Sequence, residues 1–188
     1  QYIEIKFLKN TAMYNREEDD HERVNLEDLP IFRKGREIYD LVRQIADLIP
    51  DDNEELAFTK QVMLEDASIL MVKVAGAEGG RLYDLRMECA AIIRKAAREL
   101  MVQNHSLRAF GFEHVEYFEM VRGLIEEYRL LFIEWVASFD PWNYITDRWG
   151  LFNPPGVSPF DQDPDDDLPF DPDSLNFEDW DMDSDPDE

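Results

Sequence analysis

Apolar and polar positions divide the chain into regimes of different period. At the start, "YIEIKFLK" alternates, with Ile3, Ile5 and Phe7 on one side, and a period of two predicts a short strand. The polar stretch that follows supplies no second strand, so a partner chain or a neighbouring subunit is the place for it to pair. From Leu29 to Phe139 the period is helical. A first helix puts Ile38, Leu41, Ile45 and Leu48 on one face and is stopped by Pro50. A second carries Leu56, Met63, Ala67, Leu70, Val74 and Ala77, with Asn53 as its cap and Gly79 and Gly80 as its stop. A third turns Leu85, Cys89, Ile92 and Ala96 inward and runs to about Gln103. In the fourth, Phe118, Val121, Ile125, Tyr128, Phe132, Trp135 and Phe139 follow one another at alternating steps of three and four. That spacing is the seam of a helix packed in a left-handed bundle, and Leu124, Leu131 and Val136 widen it towards a second neighbour.

These periods predict an all-α chain: an antiparallel up-down-up-down four-helix bundle over residues 29–139, preceded by a strand and polar loop at 1–28. After Phe139, "DPWNYITDRWGLFNPPGVSPF" has too many prolines and glycines to continue a helix, yet Trp142, Tyr144, Trp149, Leu151 and Phe152 are too apolar for a free linker. Residues 140–160 are therefore expected to wrap over the bundle or onto a second subunit. An acidic tail occupies 161–188.

Charge sharpens the reading of that tail. The 188 residues carry a net charge of −24, and positions 151–188 hold 14 Asp and Glu with no Lys or Arg. A block of this composition repels itself and buries too little apolar surface to offset the entropy of ordering. Phe160, Phe170, Phe177, Trp180 and Met182 are nevertheless spaced along it as separate anchors. Asp165, Asp166 and Asp167 would steer it towards Lys and Arg, with Leu168 and Phe170 filling an apolar pocket. The expected partner is thus a basic protein surface. Direct nucleic-acid contact is a second possibility, through Arg33, Lys34 and Arg36 in the first helix and Arg94, Lys95 and Arg98 in the third.

Enzyme chemistry finds no foothold. The residues three before His105 and His114 are Val102 and Gly111, so the Glu-x-x-His steps of a di-metal bundle are missing. Both histidines are expected to flank a turn, in capping or exposed roles. "AGAEGG" follows a helix and lacks the Lys-Ser/Thr of a phosphate loop. The single Cys89 permits no disulfide within the chain and is expected to be a small core hydrophobe. No catalytic residue, metal site or cofactor is expected. With no signal-peptide-like start and no run of about 20 apolar residues, the chain is expected to be cytoplasmic.

"IFRKGREIYDLVRQI", together with the stretch from Gln61 to Gly80 ending in "ASILMVKVAGAEGG", resembles the bacterial four-helix-bundle family of 23S rRNA intervening-sequence proteins and the retroelement accessory variability determinant. The resemblance covers about residues 30–139, with Lys73 standing where the family pattern has asparagine. It implies ring-like homo-oligomers, a scaffolding role and, for the retroelement member, a basic surface for nucleic acid and a reverse transcriptase. Within the tail, "PDDDLPF" is similar to the acidic tip of bacterial single-stranded-DNA-binding proteins, except that Phe170 is internal and brings no terminal carboxylate. The expectation is a non-catalytic scaffold or adaptor that docks on a basic partner. The alternative is a nucleic-acid-associated accessory protein whose tail competes with DNA.

Overall fold

The computed structural model describes residues 25–50 and 52–164, and four helices account for most of them. They are α1 (Pro30–Ala46), α2 (Glu54–Gly80), α3 (Tyr83–Ala109) and α4 (Phe118–Ala137), with 3-10 turns at Leu26–Asp28 and Val115–Tyr117. No strand occurs among the described residues. The strand expected around Ile3, Ile5 and Phe7 and the tail from Asp165 onward lie outside them.

Local signals explain most of the boundaries. Pro30 opens α1 at a position where its missing N–H costs nothing. The Asn53 Oδ1 accepts from the Leu56 amide at 2.9 Å and caps α2. The first helix stops at Ala46 because the residue before Pro50 is kept out of the helical region. In the turn that follows, Ile49 is buried and Leu48, expected in the core, is 50% exposed. α2 runs through Gly79 and Gly80, expected as its stop, and the left-handed residue that ends it is Arg81, with φ +52°. α3 runs six residues past Gln103, so His105 lies on a helix instead of beside a turn.

The register of α3 also differs from expectation. Its buried positions are Arg86, Ala90, Ile93, Ala96, Leu100, Asn104 and Leu107, while Leu85 is 46% exposed and Cys89 and Ile92 are half-buried. A buried arginine occupies the slot where hydrophobic periodicity sought a leucine. On α2 every expected core residue is buried, and on α4 the seam is buried from Phe118 to Phe139 except at Phe132, which is half-buried.

Packing follows chain order. α2 lies against α1 and α3, and α4 closes the ring between those two. A Cβ on Gly35 would lie 3.0 Å from the Leu70 carbonyl oxygen, so only glycine lets α1 approach α2 this closely. The same carbonyl accepts the Tyr128 hydroxyl at 2.7 Å, so three helices meet at one backbone group. Trp135 donates to Glu78 at 2.8 Å, which aligns the C-terminal ends of α2 and α4.

One acid sits awkwardly in this core. Asp66 on α2 is buried, and its Oδ2 has no hydrogen-bond partner. Burial, reinforced by Glu99, pushes its carboxyl up to about 6. The folded protein therefore binds this proton more tightly than the unfolded chain. The associated stability is full below pH 4 and is lost as pH rises through about 6, by roughly 3 kcal/mol in all. Asp66→Asn should remove that decline and stabilise the fold by about 2–3 kcal/mol at pH 7.5. Urea titrations of both proteins at pH 4.5 and 7.5 would test it, and equal pH dependence would exclude Asp66 as the source.

Candidate partner-docking surface

Beyond α4 the chain returns to the bundle and is fastened at the corner where α2 becomes α3. The Tyr83 amide donates to the Asn143 carbonyl at 2.7 Å, and the Asn143 Nδ2 donates to the Arg81 carbonyl at 2.9 Å. The Ile145 amide donates to Asp84 at 3.1 Å. These bonds hold the left-handed turn at Arg81 against residues 143–145. Beneath it, the Glu78 carboxylate accepts from both Arg86 and Trp135, and the Arg86 guanidinium lies 4.2 Å from the centre of the Phe139 ring. Trp135 and Phe139 pack edge to face at 4.7 Å.

The segment itself is built around Asp147. Its carboxylate accepts from the amides of Trp149, Leu151 and Phe152 at 2.8, 2.8 and 2.9 Å. These backbone donors, the Phe152 amide foremost, hold the carboxyl below the usual range. Asn153 reciprocates with the Asp147 backbone through two further bonds. Downstream, Asp163 takes the Thr146 amide at 2.6 Å and the Arg148 guanidinium at 3.2 Å, and Arg148 also donates to the carbonyls of Pro159 and Asp161. Thr146, with Arg148 adding to it, keeps the Asp163 carboxyl low as well.

A backbone so thoroughly tied down still leaves its largest side chains in water. Trp142 is 85% exposed, Trp149 90%, Leu151 75% and Phe160 92%. Scattered exposed apolar residues are ordinary on a protein surface, but three aromatic rings on one hydrogen-bonded segment make a presented set. Sequence reasoning expected the wrap and named Phe160 as an anchor. It did not foresee the Asp147 clasp, whose trace is the acceptor followed by Arg-Trp-Gly-Leu-Phe-Asn, a pattern able to bond its own backbone.

The anchors Asp165, Asp166, Asp167, Leu168, Phe170, Phe177, Trp180 and Met182 all lie outside the described residues. The six cations lie within them, and four of these line grooves on opposite flanks of α4: Arg33 and Arg36 on one side, Arg94 and Arg98 on the other. Those on α1 are engaged. Lys34 bonds Glu37 and Glu127 at 2.6 and 2.7 Å, Arg36 pairs with Glu27, and Arg33 donates to the Glu27 carbonyl at 2.7 Å. On α3, Lys95 pairs with Glu99 at 2.8 Å. Arg94 and Arg98 are exposed and have no ion-pair partner among the described residues.

His114 stacks on Tyr117 with ring centres 5.6 Å apart, and His105 is exposed on α3. Burial raises the Cys89 thiol above its ordinary value. Among the described residues no three His, Cys, Asp or Glu side chains converge as metal ligands, and no helix is long and apolar enough to cross a membrane. No family model, curated protein or solved structure matches the chain.

Proposed function

We propose that the chain is a non-catalytic adaptor or scaffold subunit of a larger cytoplasmic assembly. It docks on a basic partner through the aromatic segment and the acidic tail that continues from it. The observation carrying this reading is the contrast at residues 142–160 between a fastened backbone and exposed Trp142, Trp149, Leu151 and Phe160. Interface energy concentrates in a few large aromatic side chains, and holding them ready lowers the entropy cost of association. The neighbouring carboxylates favour a Lys- and Arg-rich partner and speed encounter with it. A homo-oligomeric bundle is part of the proposal, supported by the family resemblance.

Truncating an interface tryptophan commonly costs about 2 kcal/mol, or some 30-fold in affinity. The full chain carrying Trp142→Ala and Trp149→Ala should therefore lose its partner in an affinity pull-down from native extract, read by mass spectrometry, while its melting temperature stays within about 2 °C. Recovery of the same proteins by wild type and variant would overturn the role assigned to the segment. The nucleic-acid reading has less support, since four of its six cations are held by neighbouring acidic residues or a carbonyl.

A further inference from the structure

The seam between α3 and α4 is closed at one end and open at the other. At the closed end the 140–157 segment lies over it, with Pro141, Trp142 and Tyr144 facing Tyr83 of α3 and Val136 of α4. Further along, the two helices leave a groove of about 290 Å³ floored by Ile93, Ala97 and Met101 from α3 and Ile125, Phe132 and Ile133 from α4. This is at the small end of ligand cavities, about 300–1,000 Å³, and suits one or two side chains. Arg94, Arg98, Glu126 and Arg129 stand along it, and of the three arginines only Arg129 has a carboxylate partner among the described residues, Glu126 at 2.8 Å. Two unpaired arginines beside an apolar floor, in a chain of net charge −24, call for an acidic occupant with large apolar side chains.

We infer that this groove is a docking site for an acidic, aromatic-anchored segment, and that its occupant is the chain's own Asp165–Phe170. The described chain reaches Pro164 at the closed end of the same seam, where Asp163 is bonded to Thr146 and the neighbouring Ile145 to Asp84 of α3. From Asp84 to Ala97 along α3 is about 20 Å. From Asp163 to Phe170 an extended chain covers about 23 Å, so the segment reaches the groove without moving its anchorage.

The spacing also matches. Arg94 and Arg98 are one helical turn apart, about 5–6 Å, and Asp165 and Asp167 on an extended strand are about 6.6 Å apart. Helix side chains lean towards their N-terminus, so both guanidiniums tilt towards the end from which the segment arrives. On the other side of that strand Leu168 and Phe170 meet the floor. The tether supplies the segment at about millimolar effective concentration, so a weak intrinsic affinity is enough to fill the groove. This inference stands apart from the proposed adaptor role, because it concerns the isolated protein.

The test uses the full chain with Cys89→Ser and Ser174→Cys, a nitroxide on the new thiol, and amide NMR signals read for α3 and α4. Severe broadening is expected at Ile93, Ala97 and Ile133, disappearing with Arg94→Glu and Arg98→Glu and in about 1 M NaCl, where the Debye length is about 3 Å. Phe170→Ala, which leaves the bundle untouched, should also weaken it. Absence of broadening in the parent protein, or broadening indifferent to charge reversal, would overturn the inference. A mixture of spin-labelled unlabelled-isotope chain with isotope-labelled, spin-free chain separates the sources. Broadening in that mixture would assign the groove to a second copy and would equally overturn occupancy by the chain's own segment.

Discussion

Glu78→Ala is expected to destabilise the protein by about 3–5 kcal/mol, the cost of leaving a buried charge without its partner. The side chains of Glu78 and Arg86 are each only 10% exposed. Removing the carboxylate strands the Arg86 guanidinium, whose Nε already lacks a hydrogen-bond partner, and leaves the Trp135 indole N–H unpaired. Arg86 would keep the Phe139 ring as its remaining favourable neighbour, worth about 1–2 kcal/mol at most. Urea unfolding followed by circular dichroism would measure the loss. The double variant Glu78→Gln with Arg86→Met should regain much of it, because a neutral pair carries no uncompensated charge. A loss below about 1 kcal/mol for Glu78→Ala would mean that water screens the pair as it does at a surface.

Tyr128→Ala should cost a similar amount, about 3–5 kcal/mol, by opening a cavity where α1, α2 and α4 converge. Tyr128 is 2% exposed, and burial drives its phenol well above the ordinary tyrosine range. The informative comparison is Tyr128→Phe, which keeps the ring and deletes only the bond to the Leu70 carbonyl. That carbonyl retains its place in the α2 hydrogen-bond ladder, so the change should cost about 1 kcal/mol. Denaturation midpoints of the two variants would separate packing from hydrogen bonding. Equal losses would show that the hydroxyl, and not the ring volume, secures the crossing.

The two predictions bear on how far sequence alone could reach. The number of helices, the inner face of α2 apart from its buried Thr59 and Asp66, and nearly all of the α4 seam are legible because their core positions are apolar and keep a helical period. The phase of α3 is not legible, because Arg86 and Asn104 occupy two of its buried positions and polar residues carry no weight in such a count. Arg86 can be inside only because Glu78 and Phe139 meet it there, and neither is a neighbour in sequence. The pairing of the cations was hidden for a related reason. Lys34 is neutralised in part by Glu127, 93 positions away, whereas Arg94 and Arg98 have no such partner among the described residues. The wrapping segment was legible as a contradiction between its prolines and its aromatics. Its clasp on Asp147 was not, since backbone donors look alike whatever the side chain.

The clasp of Asn143 and Ile145 on the α2–α3 corner orders events in time as well as in space. α2 and α3 are joined by two residues and can pair as soon as both have been synthesised. The bonds from Asn143 to Arg81 and from Ile145 to Asp84 close loops 62 and 61 positions long and must wait for the whole of α4. Until then the Arg81 turn has no lock, and the apolar ends of α3 and α4 lie open to other chains. Assembly on a ribosome thus leaves this corner as the final one to shut. Faults in the last third of the chain should appear there as aggregation during synthesis, before they register as lost stability in the finished protein.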